Sequence, residues 1–112
     1  MYRGDIWWAN LPDPSDVGPG FRRPVLIVQA DAFNRSQLST VVACALSSNL
    51  RLAGARANML VRADETGLAK DAVVNVSQLF TVDKSNLDAY IGRLSQQSLR
   101  CVEQGIRLLL DL

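Results

Sequence analysis

Short apolar runs alternate with polar, turn-forming stretches along most of this chain, and only the C-terminal segment carries a helical period. Residues 4–11 predict a first strand, given bulk by Ile6, Trp7 and Trp8. Neighbouring side chains on a strand point to opposite faces, so one tryptophan suits the core, and an interface or plain core is the plainer reading of the other, with base stacking as the alternative. Residues 12–20 hold three prolines and two glycines, a loop signal that is long for a hairpin connection. Residues 23–29 predict a second strand, because Val25, Leu26, Ile27 and Val28 are apolar and three of them are β-branched. Residues 31–36 suit a short helical turn or loop. A third, buried strand is expected over residues 40–46, ended by Ser47-Ser48-Asn49.

Residues 57–61 predict a fourth strand, with Met59 and Val61 on one face, followed by a polar connection over residues 64–71. Residues 73–80 predict a fifth, with Val74, Val76 and Leu79 inward. Residues 81–85 predict a turn, and residues 90–94 a short last strand. Ser95 then suits a helix N-cap, and Leu99, Val102, Ile106, Leu109 and Leu110 recur on one helical face. Several strands followed by one amphipathic helix predict a mostly-β member of the α+β class: a small antiparallel sheet or part-open barrel capped by a helix.

Composition narrows the chemistry. At 112 residues, 48% of them hydrophobic, the chain fits a single domain over residues 1–112. It opens without a signal-peptide pattern and holds no apolar run of membrane-spanning length, so the expectation is a cytoplasmic protein without membrane association. Cys44 and Cys101 are too few and too far apart for a zinc site or a disulfide framework. Both lie in apolar segments and are expected as buried thiols. The chain has no histidine. That removes the commonest general acid–base group, the Ser-His-Asp and Cys-His systems, and the commonest metal ligand. Chemistry must run on arginine, hydroxyls, carboxylates or groups of the substrate. The net charge of +1 is uneven: residues 1–62 balance to +3 and residues 63–112 to −2, and every basic residue of the first part is arginine. A basic half suits a polyanion site, although the asymmetry is small.

The candidate chemistry gathers at Gly18-Pro19-Gly20-Phe21-Arg22-Arg23-Pro24. Proline fixes its own φ and holds Arg23 extended, at the mouth of a buried strand beneath a Gly-rich loop. A guanidinium there offers a planar fork of donors to a phosphate; a solvated strand end is the plainer reading. A simple hairpin between the second and third strands brings Arg23 and Ser47 to the same end of the sheet. An arginine and a hydroxyl together can hold a phosphate and stabilise a pentavalent phosphorus. RNA carries its own nucleophile, the 2′-hydroxyl, so a ribonuclease without histidine or metal is chemically possible. The plainer reading of Ser47-Ser48-Asn49 is a capping turn. Asp16 and Asp71 are candidate bases, with solvated surface acids as the alternative. Gln78 suits reading a base edge, although an exposed strand glutamine needs no such role.

Four stretches in order resemble the MazF/PemK/Kid family of toxin endoribonucleases: Arg3-Gly4-Asp5-Ile6-Trp7; Arg23-Pro24 with the strand after it; Leu46-Ser47-Ser48-Asn49; and Asp71 to Gln78 with Thr81-Val82-Asp83-Lys84. The end of the chain from Ile91 also fits, so the resemblance spans nearly all of it. It implies an SH3-like, CcdB/PemK-type antiparallel barrel with a C-terminal helix, acting as a homodimer without a cofactor. It implies metal-independent, sequence-specific cleavage of single-stranded RNA, with 2′,3′-cyclic phosphate and 5′-hydroxyl ends. It also implies a cognate MazE-like antitoxin whose acidic segment occupies the RNA groove. Arg23 and Ser47 match the catalytic arginine and the catalytic threonine or serine. Phe21, Arg22, Ser48 and Gln78 would seat the RNA. The chain departs from its relatives at three places. Its loop reads Asp16-Val17-Gly18 and is one residue shorter. Asn75 and Ser77 stand where some relatives place an arginine–aspartate acid–base pair. Ser47 lacks the methyl of threonine. A CcdB-like gyrase poison and a non-catalytic RNA-binding module are the alternatives on the same fold.

Overall fold

The computed structural model describes residues 1–11 and 21–112. The strands are β1 (Asp5–Leu11), β2 (Phe21–Ile27), β3 (Thr40–Ser47), β4 (Met59–Val61), β5 (Ala72–Asp83) and β6 (Leu87–Arg93). The helices are α1 (Asp31–Asn34), α2 (Ala63–Thr66) and α3 (Gln96–Leu110). All strand pairs are antiparallel, in one sheet of order β4-β5-β3-β2-β1-β6.

The period-2 alternation of the strands divides the core between the two faces of this curved sheet. Ile6, Leu26, Cys44, Leu46, Val74 and Val76 form one apolar layer, which α3 covers through Val102. Ala9, Val25, Ile27, Val41, Ala43 and Val82 form the other, with Trp7 packed against it. The two tryptophans therefore part: Trp7 meets the second layer and the ring of Tyr90, edge-on at 5.8 Å, while Trp8 points to the opposite side.

β5 serves both layers because it is bulged. Asn75 opposes Ala45 and Leu79 opposes Cys44, so residues 76–78 have no counterparts on β3. The extra residues invert the alternation. Val74, Val76 and Leu79 face the helix-covered layer, whereas Phe80 and Val82 face the other. The inward set expected for this strand is thus observed despite its broken spacing. Polar groups released by the bulge are satisfied. The Asn58 side chain accepts from the Val76 amide at 3.0 Å and donates to Asn75 Oδ1 at 3.1 Å and to the Leu52 carbonyl at 3.0 Å. The Cys44 thiol donates to the Asn75 carbonyl, Sγ to O 3.0 Å.

β4 and β6 are the edges of the sheet, and α2, which follows β4 in the chain, packs on β6. Its residue Thr66 is wholly buried with its carbonyl against Gly92 of β6, and Gly67 ends the helix at φ 87°. Ser95 caps α3 as expected: its hydroxyl accepts from the Ser98 amide at 3.1 Å. Hydrogen bonds from Ser98 and Ser95 hold the Glu65 carboxyl below its ordinary range, which ties α2 to α3.

Four expectations are corrected. β5 runs on through Thr81, Val82 and Asp83, because these pair with Val42, Val41 and Thr40, and the turn comes at Lys84–Asn86. β6 starts at Leu87, opposite Ala9. On α3, Leu99 and Val102 are buried and Ile106 packs against the core, but Leu109 and Leu110 are 46% and 49% exposed, beyond the sheet they were expected to cover. Cys101 is exposed, since it lies off the Leu99–Val102 stripe. Cys44 is buried, and burial pushes its thiol up to about 12. Treating the native protein with iodoacetamide at pH 8 should therefore modify Cys101 and spare Cys44. Peptide mass spectrometry checks this, and equal labelling of both would contradict the packing. Among the described residues, no helix is long and apolar enough to cross a membrane.

Candidate active site

The pairing of β2 with β3 sets Val25 opposite Ala45 and Leu26 opposite Cys44. Carried two residues outward, the same register opposes Arg23 to Ser47. Both line one open cleft of about 450 Å³ at that end of the sheet. Phe21, Arg22 and Ser48 line it too, so five of the six residues singled out from the sequence come together. Trp8 and Leu46 contribute apolar surface, and residues 68–72, which lead from α2 into β5, form a further wall that includes Lys70 and Asp71.

Each functional side chain has a local reason for its place. Pro24 gives up no ladder bond that the strand needs, because β2 meets β3 only from Val25 onward. Arg23 stays paired with Ala9 of β1 but lies past the last β2–β3 pair, half-buried, with its guanidinium carbon 5.8 Å from the Phe21 ring centroid. The Ser47 hydroxyl oxygen accepts from the Asn49 amide at 3.1 Å, which leaves its proton to be donated elsewhere. Asn49 in turn caps the turn Leu50–Gly54 by accepting from the Arg51 amide at 3.2 Å. Ser47-Ser48-Asn49 is therefore both a capping turn and a cleft wall.

The two adjacent arginines differ. Arg22 Nε donates to Asp88 at 2.7 Å, and its guanidinium carbon lies 4.6 Å from the centroid of the Trp8 ring. Among the described residues, no carboxylate pairs with Arg23. Asp71 accepts from the Ala63 amide at 2.8 Å and so holds the start of α2. Asp16 lies outside the described residues. Gln78 is exposed on the β5 bulge and lines a neighbouring cavity of about 280 Å³. It meets the site through Arg23, which borders both spaces.

Sequence reasoning missed Lys70 and Asp88, and did not single out Trp8 over Trp7. Lys70 carried one available signal, a cation next to a carboxylate already under consideration. Asp88 carried none, because its approach to Arg22 depends on both strands pairing with β1. Among the described residues, no three His, Cys, Asp or Glu side chains gather into a metal-ligating group.

A guanidinium, a hydroxyl and an ammonium that line one open cleft suit an oxyanion. The cleft's shape suits a phosphate within a chain rather than an enclosed small molecule. Comparison with known proteins agrees in fold and extends to family. The model of the PemK-like, MazF-like toxins of type II toxin–antitoxin systems matches residues 2–110. Endoribonuclease MazF6 of Mycobacterium tuberculosis (strain ATCC 25618 / H37Rv) is 40% identical over 110 residues, covering 98% of this chain and 96% of that protein. Endoribonuclease EndoA of Bacillus subtilis (strain 168) is 29% identical over 110 residues, covering 98% and 94%. A solved mycobacterial endoribonuclease in complex with its cognate antitoxin shares the fold at a TM-score of 0.79 and 22% identity, over 100% of this chain and 96% of that one. By the span of the family match and the identity to its curated relatives, the chain belongs to the PemK-like, MazF-like toxins of type II toxin–antitoxin systems.

Proposed function

We propose that this MazF-family endoribonuclease cuts single-stranded RNA at a short sequence by using the RNA's own 2′-hydroxyl. The observation that supports this most directly is that Arg23 and Ser47 line one cleft, just past the last β2–β3 pair. The 2′-oxygen forms a bond to phosphorus and gives up its proton. The bond from phosphorus to the 5′-oxygen breaks, and that oxygen takes a proton. The products are a 2′,3′-cyclic phosphate and a 5′-hydroxyl. Charge builds on the non-bridging oxygens in between. The Arg23 guanidinium stabilises it, and the Ser47 hydroxyl donates to the same phosphate. Phe21, Arg22, Ser48 and Gln78 seat the flanking nucleotides. Residues 75 and 77 are Asn and Ser, tied to each other at 2.9 Å, and they provide no acid–base pair.

The toxin acts as a homodimer, and a cognate antitoxin covers the cleft with an acidic segment. The cations Arg23 and Lys70 that line the cleft support such a partner. The test is incubation of purified protein with a long single-stranded RNA in EDTA, followed by mapping of the ends. Discrete cuts with cyclic phosphate and 5′-hydroxyl ends are expected. RNA left intact at high protein concentration would overturn the reading and turn attention to gyrase.

A further inference from the structure

Arg22 and Arg23 are adjacent in sequence and line one cleft, yet their surroundings assign them different work. The charge of Arg22 is already matched: its Nε donates to Asp88 at 2.7 Å. A phosphate brought to this arginine would also meet the Asp88 carboxylate, so the pair is a poor anion site. The guanidinium is nevertheless held in place. Asp88 fixes one edge, and Trp8 supports one face at 4.6 Å. The Arg22 side chain is still 46% exposed, so the group is fixed but uncovered. A planar, delocalised cation backed by an indole and neutralised at its edge is a surface for a flat, electron-rich ring. Asp88 comes from β6 and Trp8 from β1, and strand pairing brings both beside β2. The arrangement therefore needs the folded sheet and is not an accident of neighbouring residues.

We propose that Trp8, Arg22 and Asp88 form a stacking platform for one nucleobase next to the cut phosphate. Arg22 presents the plane, Trp8 backs it, and Asp88 is a positioning residue that keeps the guanidinium from turning toward phosphate. This deepens the RNA-cleavage reading and rests on it for the identity of the ligand. The platform recognises a base by its aromatic face. It adds affinity at one position of the bound strand, whichever hydrogen-bonding groups select the sequence elsewhere.

The test separates this platform from cleavage itself. Once the cut site is mapped, short RNAs are made with an abasic nucleotide at each position around it and a single 2′-deoxy sugar at the cut, which blocks cleavage. Binding is read by fluorescence anisotropy for the wild type and for Arg22→Lys, which keeps the charge and loses the plane. In the wild type, one abasic position beside the cut should weaken binding roughly tenfold, within the range for base–aromatic stacking. In Arg22→Lys the intact RNA should bind roughly tenfold more weakly, and the same abasic position should cost less than about twofold more, since the lost contact is then already gone. The slope of affinity against salt should match that of the wild type, because the cation count is unchanged. Asp88→Asn should weaken binding at that position alone.

Equal abasic costs in wild type and Arg22→Lys would overturn the platform, and so would Asp88→Asn tightening binding with a steeper salt slope, which would mark Arg22 as a phosphate contact. All-ribose RNA that is cut normally while no abasic position weakens binding would overturn the platform and leave the cleavage reading standing.

Discussion

Arg23→Ala should lower single-turnover RNA cleavage by at least about a thousandfold, the upper end of the loss seen when one transition-state donor is removed, and leave the melting temperature close to that of the wild type. The structural reason is that Arg23 sits past the last β2–β3 pair and borders the cleft, contributing to neither core layer. Arg23→Lys should recover little, because an ammonium cannot place two parallel donors on a phosphate. The variants should be compared at saturating RNA, so that a lost transition-state contact appears as slower chemistry rather than weaker binding. An Arg23→Ala protein that cuts within tenfold of the wild-type rate would remove Arg23 from the reaction and leave Ser47 and Lys70 as the groups to examine.

The largest effect on stability should come from Gly92→Ala. A Cβ at this residue would lie 2.1 Å from the Thr66 carbonyl oxygen. Thr66 is wholly buried in α2, so the obstacle is main chain that has nowhere to move. Overpacking of this kind costs about 3 kcal/mol, a large share of the margin of a domain this size. It should lower the melting temperature by about 10 °C or more. Gly54→Ala is the matched control, since nothing lies within 4 Å of its added methyl. If thermal unfolding of Gly92→Ala fell within 2 °C of both the wild type and this control, the close packing of α2 on β6 would be wrong.

Much of the site was legible from local chemistry. A proline after two arginines, a buried strand, a short connection and a second buried strand ending in hydroxyls are enough to bring Arg23 beside Ser47, because antiparallel pairing leaves no other arrangement of a simple hairpin. Ser95 was equally readable, since a cap is decided within one turn. What escaped reading depends on partners distant in sequence. Thr81 and Val82 resemble a turn until β3 is seen to extend far enough to pair with them. The inward position of Leu79 follows from a bulge that Asn58 supports from another segment. Cys101 and Leu109 share an apolar-looking helix, but Cys101 lies off its buried stripe and Leu109 lies beyond the sheet beneath it. Asp88 is one acid among eleven carboxylates in the sequence, and only the β1–β6 register brings it to Arg22.

That register has a consequence for how the toxin comes into being. β1 lies in the sheet between β2 and β6, with Asp5 opposite Arg93. The strand made first must wait for nearly the whole chain before one of its two neighbours exists. Pairings this distant in sequence form late and slowly, so a nascent chain still on the ribosome holds an unfinished sheet and lacks the support that β6 gives Arg22. The support that Asp88 gives Arg22 therefore exists only after β6 has been made and paired with β1.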